Sequence, residues 1–257
     1  MAKISVVSVR SLLIRMMFRE TELAVGTAFI MSRADGAPFL VTNRHNVTGR
    51  DSNDQPISPT GGLPDHLSVA FVGEKPGTWR SEDIDLYDED NRPIWREHAL
   101  MGSEYDVVAI PLQAIEGVRF YPYEWNGGQQ VMVAPGDTVS VVGFPFGKPA
   151  GGLFPIWATG FMASEPDIDP DDQPKMYIDC RSRPGQSGSP VVAYRSGSYS
   201  EAGGGFAIMA GNSSAIRLIG IYCGRINKES DLGIVWKLQV VRDVVGFGCR
   251  PITPLKP

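Results

Sequence analysis

The chain has 257 residues, 42% of them hydrophobic, which is enough apolar surface for one large core or two modest ones. Its formal net charge of −5 and sequence pI near 5.3 disfavour nucleic acid or an anionic membrane as the main partner. With 29 glycines and 20 prolines it is rich in turns, and the short apolar runs between those turns predict an all-β protein.

The N-terminal residues predict an extension ahead of the main fold. Ser5–Phe18 shows a weak helical period, but Arg10 and Arg15 interrupt its apolar residues, and no cleavage site of small residues follows. This is a poor signal peptide, and no stretch reaches the roughly 18 apolar residues of a transmembrane helix. We therefore expect a cytoplasmic protein without a membrane span.

A histidine follows the first clear apolar run. Phe39–Thr42 predicts a strand, and His45 lies in the polar turn just after it. Imidazole titrates near neutral pH and is the usual base that activates a hydroxyl nucleophile. The other histidines, His66 and His98, lie in polar surroundings without a strand before them, so His45 is the candidate base.

An acid precedes a second apolar run. Asp106 stands at the head of the run 107–112, whereas the rival acids lie in a crowded segment typical of solvated surface: Asp83, Asp85, Asp88 and Asp90. A catalytic imidazole needs a carboxylate on its far nitrogen to fix the tautomer and stabilise the imidazolium. Asp106 is therefore the candidate partner of His45.

The segment Gly185–Pro190 predicts a tight, glycine-flanked turn before the apolar run Val191–Ala193. Such a turn holds a side-chain hydroxyl at a cleft wall and aims successive backbone N–H groups at one point, where an oxyanion can form. Ser187 is the candidate nucleophile, and the predicted oxyanion-hole residues are Gly185, Gln186 and Ser187.

Two alternatives to this serine are Ser189 and the pair Ser213–Ser214, which lies in a segment typical of a hairpin turn.

The candidates occur in the chain order His45, Asp106, Ser187. An α/β-hydrolase has the order Ser, Asp, His, and a subtilisin has Asp, His, Ser, so neither fold matches.

These motifs resemble those of the trypsin-like (chymotrypsin-fold) serine proteases, and most closely the bacterial branch of HtrA/Deg-type and glutamyl endopeptidases. The resemblance covers residues from about 22 to about 245 and rests on five segments: Gly26–Phe29, Val41–His45, Asp106–Ile110, Gly185–Pro190 and Ile219–Gly224.

The resemblance implies an all-β fold of two antiparallel six-stranded β-barrels, with the active site between them and a short C-terminal helix. We expect residues 1–20 to form an N-terminal extension, 21–125 the first barrel, and 126–257 the second barrel with the helix and a tail. Gln239–Val245 is the candidate helix.

The resemblance further implies a serine endopeptidase that hydrolyses protein or peptide substrates through an acyl-enzyme, without a cofactor or metal. The alternative is a catalytically silent peptide-binding module on the same fold, although all three candidate residues are present.

In animal digestive enzymes an acid precedes the nucleophile and pairs with a freed N-terminus. Gln186 stands there instead, so we expect no activation by N-terminal insertion. The oligomeric state is left open.

By the same resemblance, five residues are candidates for the pocket that holds the side chain before the scissile bond: Arg181, Ser182, Cys223, Gly224 and Arg225. Arg181 lies where a trypsin-type pocket has an acid, so the sequence favours acidic or small residues before the cut. The alternatives are an apolar, shallow pocket with its arginines in solvent, or an acid contributed by Asp231.

The cysteines, Cys180, Cys223 and Cys249, are odd in number and do not form a disulfide framework. Free thiols agree with the expected cytoplasmic setting.

Overall fold

Apolar runs become strands along the whole chain. The computed structural model describes residues 4–51, 53–75, 77–126, 131–201, 204–208, 214–227 and 229–251. The first half contains β1 (Ser11–Phe18), β2 (Thr21–Ser32), β3 (Pro38–Thr42), the short helix α1 (Arg44–Thr48), β4 (His66–Val72), β5 (Trp79–Asp85) and β6 (Val108–Pro111).

These strands form one antiparallel sheet in the order β5-β4-β1-β2-β3-β6. Within the described residues its edge strands β5 and β6 are not paired with each other, so the first predicted barrel is a half-barrel. Its concave face encloses a core of buried side chains that includes Leu40, Phe71, Trp95 and Ile110.

The prediction of a helical period in Ser5–Phe18 was wrong. Val6–Val9 form one 3-10 turn, and Ser11–Phe18 is β1, which lies between β4 and β2 near the middle of the sheet. The predicted extension 1–20 therefore contributes a strand to the first half. Both faces of this strand are covered, so its apolar residues do not alternate with polar ones, and the strand signal is lost.

The second half contains β7 (Thr138–Gly143), β8 (Ile156–Met162), β9 (Lys175–Asp179), β10 (Pro190–Ser196), the hairpin strands β11 (Ser198–Ser200) and β12 (Phe206–Ile208), β13 (Ser214–Arg225), β14 (Leu232–Lys237) and the helix α2 (Leu238–Phe247). Six of these strands close a barrel in the order β10-β13-β14-β9-β8-β7. This closure confirms the predicted all-β class. The predicted boundary between the halves stays a prediction.

The C-terminal helix is confirmed, and it begins one residue before the predicted range and ends two after it. Its apolar face is fully buried: Val240, Val241, Val244 and Val245. These valines share a core cluster with Val107 and Ala109 of the first half and with Trp236 of the second, so α2 packs across both halves. The expected tail beyond Pro251 and residues 1–3 lie outside the described residues.

None of the helices in the described part of the chain has the length and apolar character that crossing a membrane requires.

Thr27, on β2, joins the two halves where the candidate serine lies. Its N–H donates to the Ser187 carbonyl at 2.9 Å, and its hydroxyl donates to the Gly185 carbonyl at 2.8 Å. The same hydroxyl accepts from the Phe144 N–H at 3.2 Å. Thr27 is fully buried, so no water can replace these bonds.

We predict that Thr27→Val lowers the free energy of unfolding by about 1–3 kcal/mol, because it leaves a buried N–H and a buried carbonyl without partners. Urea denaturation measures the change. The matched control is Thr21→Val, the same substitution at an exposed position of β2, which we expect to stay within about 0.5 kcal/mol of the parent. Equal effects of the two variants would contradict a joining role for Thr27.

Candidate active site

The sheet of the first half brings two of the candidate residues together. β3 and β6 are antiparallel neighbours, and Thr42 pairs with Val108 at one end of the ladder. His45 lies in α1 just beyond that end of β3, and Asp106 lies just before β6. His45 and Asp106 lie close together because both adjoin the same end of the ladder between β3 and β6.

His45 and Asp106 share two hydrogen bonds. The ring Nδ1 lies 2.6 Å from Asp106 Oδ2, and the backbone N–H of His45 donates to Asp106 Oδ1 at 2.9 Å. The side chain of Asn43 donates to the Asp106 carbonyl at 2.7 Å and fixes the backbone of the acid. The carboxylate thus holds the imidazole by its Nδ1 side and leaves Nε2 for other partners.

Cys223 is a third neighbour of the carboxylate. Its thiol donates to Asp106 Oδ2 at 3.0 Å. Burial alone would raise the pKa of Asp106, but the attraction of His45 and the hydrogen bonds from His45 and Cys223 outweigh it, so the pKa lies below the usual value. Burial and the charge of Asp106 raise the pKa of the Cys223 thiol well above its usual value.

Sequence reasoning placed Cys223 in the substrate pocket and missed its contact with the acid. The ladder between β13 and β14 shifts register between Tyr222 and Gly224, and this irregularity sets where the side chain points. The alternation of inward and outward side chains that the sequence of β13 predicts cannot show such a shift in strand pairing.

Ser187 lies on the same cavity as His45 and Asp106, a space of about 520 Å³ that Cys223 also lines. Its hydroxyl donates to the Cys223 carbonyl at 3.2 Å. Its own carbonyl accepts from Thr27, described above, and from the Asn46 side chain at 3.2 Å. Within the described residues no hydrogen bond joins the Ser187 hydroxyl to His45, so the three side chains are neighbours without a continuous relay.

The turn around Ser187 depends on two glycines. Gly185 and Gly188 have φ values of 92° and 88°, in the left-handed region. A Cβ on Gly185 would lie 2.5 Å from the Phe144 carbonyl oxygen, and one on Gly188 would lie 2.0 Å from that of Thr27. No other residue fits either position without moving the backbone.

Two backbone N–H groups of this turn are free. In the described part of the chain the N–H groups of Gly185 and Ser187 donate to no protein acceptor, whereas that of Gln186 donates to the Arg183 carbonyl at 3.2 Å. Of the three predicted oxyanion-hole residues, two therefore offer donors. Gln186 instead holds the turn through its buried side chain, whose Oε1 accepts a hydrogen bond from the Arg183 N–H at 2.7 Å.

The alternatives to the candidate residues lie elsewhere. Ser189 is fully buried, Ser214 begins β13, and Ser213 lies outside the described residues. His66 pairs with Asp65, and His98 lies 3.8 Å from Asp243. Of the rival acids, Asp83, Asp85 and Asp90 are exposed. Asp88 is part-buried, and its carboxylate pairs with Arg250 at 2.7 Å and Arg92 at 3.4 Å.

A smaller cavity of about 260 Å³ adjoins Ser187, and it is lined by Ser182, Arg183, Pro184, Ser187, Tyr222, Gly224, Arg225 and Asn227. Three predicted pocket residues thus line it: Ser182, Gly224 and Arg225. Cys223 lines the larger cavity instead, and the Arg181 side chain is 86% exposed and outside the smaller one.

Polar groups face this smaller cavity, and none of the described residues that line it is an acid. The Ser182 and Tyr222 hydroxyls are hydrogen-bonded to each other, and burial raises the pKa of Tyr222 to about 12. Arg183 donates to the Ser182 carbonyl at 2.8 Å and lies 3.8 Å from Asp231. Asp231 is about half-exposed and does not line the cavity. Arg225 has no ion-pair partner in the ranges that the structure describes.

Comparison with one known structure shows the same fold. A serine endoprotease from Yersinia pestis aligns with 91% of this chain and 60% of its own, at 14% identity and a TM-score of 0.51. The chain therefore spans only about three fifths of that protein. The active form of the Rv3671c protease from M. tuberculosis aligns with 96% of this chain and 85% of its own, at 16% identity and a TM-score of 0.49.

Sequence comparison identifies the family. No curated protein sequence matches the chain significantly. The family profile described as trypsin-like peptidase domain matches residues 26–199, more than half of the 257 residues, and that range includes all three candidate residues. The chain belongs to the trypsin-like peptidase domain family.

Proposed function

We propose that the protein is a serine endopeptidase whose catalytic residues are His45, Asp106 and Ser187. The observation that carries this proposal is that His45, Asp106 and Ser187 line one cavity. A part-buried carboxylate holds the imidazole through Nδ1, and in the described part of the chain two backbone N–H groups of the serine's glycine turn have no protein acceptor. Its substrate is a protein or a peptide.

The reaction begins when the Ser187 hydroxyl attacks a substrate carbonyl and His45 Nε2 takes its proton. The negative charge that develops on the carbonyl oxygen is stabilised by the N–H groups of Gly185 and Ser187. Asp106 keeps the proton of Nδ1 in place and stabilises the imidazolium. His45 then protonates the leaving amine, and water cleaves the acyl-enzyme by the same two steps.

The first step requires one movement. The Ser187 hydroxyl donates to the Cys223 carbonyl at 3.2 Å, so it must turn about its Cα–Cβ bond to donate to His45 Nε2. Hydrogen bonds between a nucleophile and its base are often long or absent before substrate binds. Exchange of the carbonyl acceptor for the imidazole is therefore compatible with catalysis.

The same contact favours a second candidate function, a peptide-binding module without catalysis. If the Ser187 hydroxyl stays on the Cys223 carbonyl, it has no base. A fluorophosphonate reagent discriminates between the two functions, because it reacts covalently only with an activated serine.

We predict that Ser187→Ala abolishes fluorophosphonate labelling and peptide cleavage, because no nucleophile remains. Its melting temperature should stay close to that of the parent, since the Ser187 hydroxyl is not part of the core. The matched control is Ser189→Ala, two residues away, whose buried hydroxyl has no hydrogen-bond partner among the described residues. Labelling that survives in Ser187→Ala, or is lost in Ser189→Ala, would refute the assignment.

We predict that Asp106→Asn keeps the fold and lowers kcat by on the order of 10⁴, because an amide N–H would face Nδ1 and hold the imidazole in the wrong tautomer. Steady-state kinetics on a peptide substrate measure the loss. The control is Asp83→Asn on the exposed edge strand β5, which should leave kcat unchanged. A loss of less than about tenfold in Asp106→Asn, far below that expectation, would show that another acid orients the base.

We predict that peptides with Glu before the cut are cleaved faster than matched peptides with Arg, because two arginines and no acid line the smaller cavity. Arg225→Gln should lower kcat/KM for the Glu peptide by about tenfold or more, as expected for a lost charge-assisted hydrogen bond. Arg181→Gln is the control, since its side chain is 86% exposed.

A matched peptide with Leu before the cut decides between the arginine-lined and the apolar pocket. If Leu before the cut is preferred and Arg225→Gln has no effect, the arginines face solvent and the pocket is apolar. If Arg is preferred, both hypotheses fail and Asp231 becomes the specificity residue.

A further inference from the structure

The thiol of Cys223 has no role in the proposed reaction, yet it lies against the charged pair. Its Sγ is 3.0 Å from Asp106 Oδ2, and His45 Nδ1 lies 2.6 Å from the same oxygen. Across the described residues, this trio is the one group of three His, Cys, Asp or Glu side chains whose ligand atoms all lie within 4.8 Å of one another.

A thiolate, an imidazole and a carboxylate are ligands that Zn²⁺ prefers, at about 2.0–2.3 Å. Tetrahedral coordination at those lengths places neighbouring ligand atoms roughly 3.3–3.5 Å apart. The Oδ2–Sγ and Oδ2–Nδ1 distances of 3.0 and 2.6 Å are shorter than this, so Oδ2 must move away from Sγ and Nδ1 by roughly half an ångström or slightly more. Small side-chain rotations supply such a shift without moving the strands.

The cation has a path to these atoms. All three side chains line the cavity of about 520 Å³, and the His45 and Asp106 side chains are 16% and 21% exposed. Three protein ligands leave one coordination position for water on the cavity side. Four basic side chains, Arg44, Arg50, Lys175 and Arg225, also line the cavity and outnumber its two further acids, Asp51 and Glu104, so binding depends on direct ligation and not on long-range attraction.

We propose that a thiophilic divalent cation, with Zn²⁺ the best fit, binds to His45 Nδ1, Asp106 and Cys223 Sγ and thereby inactivates the site. Binding breaks the S–H bond of Cys223, and its proton goes to solvent. The cation takes the lone pair of Nδ1, and the ring proton moves to Nε2. One proton is released for each cation bound, and Nε2 can no longer accept the proton of Ser187. The inhibitory consequence rests on the proposed function, but the binding does not.

Binding is tested with Cd²⁺, which gives an ultraviolet charge-transfer band when a thiolate ligates it. The parent is the full chain with Cys249→Ser, because Cys249 is exposed and would bind cations outside the site. We expect a band that saturates at one Cd²⁺ per chain and is displaced by Zn²⁺. Adding Cys223→Ser should remove the band, because a serine hydroxyl is a poor ligand for Cd²⁺.

The matched control adds Cys180→Ser instead. Cys180 is a buried thiol whose Sγ–H donates to the Ala158 carbonyl at 3.3 Å, and its loss should leave the band intact. No band in the parent, a band that survives Cys223→Ser, or a band lost only with Cys180 would overturn the proposed site. Circular dichroism melting establishes that each variant is folded.

A second measurement separates this proposal from the proposed function. Nitrogen NMR of the His45 ring should show the proton on Nδ1 without cation and on Nε2 with one equivalent of Zn²⁺, whether or not the protein cleaves peptides. An unchanged tautomer would overturn ligation by Nδ1. In an active protein, Zn²⁺ at tenfold its Kd should lower peptide cleavage about tenfold, and a chelator should restore it. Full cleavage with the cation bound would overturn the inhibitory consequence.

Discussion

The contact between β2 and the turn before β10 is the constraint on which the candidate site depends. Thr27 holds the carbonyls of Gly185 and Ser187 through its hydroxyl and its N–H, and both bonds are buried. The turn that these bonds hold leaves the N–H groups of Gly185 and Ser187 without a protein acceptor in the described part of the chain. The first half thus orients donors that belong to the second half, and neither half could form the site alone.

Three donors offset the cost of partly burying the charge of Asp106. An unpaired buried carboxylate would be protonated or would destabilise the fold. Here the His45 N–H, the His45 ring and the Cys223 thiol all donate to it, and together they hold the pKa below its usual value despite burial. The acid therefore stays ionised at neutral pH, which is the state that a partner of imidazole requires.

The short apolar runs predicted the fold class. The neighbourhood of His45 and Asp106 could be predicted because each flanks an apolar strand and lies in a motif that resembles the trypsin-like family, although the sequence does not show that the two strands pair. The sequence did not reveal β1, since a strand buried on both faces lacks alternation. It also could not show that the first barrel stays open, because closure depends on pairing between edge strands far apart in sequence. The contact of Cys223 with the acid follows from a register shift, and only three-dimensional pairing defines that shift.

Cys223 links the two properties proposed for this site. As a neutral thiol it is a weak hydrogen-bond donor, 3.0 Å from Asp106 Oδ2. A hydroxyl in its place would donate more strongly and would not ligate a soft cation. The sulfur of Cys223 therefore gives Asp106 a weaker hydrogen bond than a hydroxyl would, and it makes His45, Asp106 and Cys223 a set of metal ligands. Asp106 Oδ2 either accepts the hydrogen bond of the imidazole or ligates the cation, so the two arrangements exclude each other.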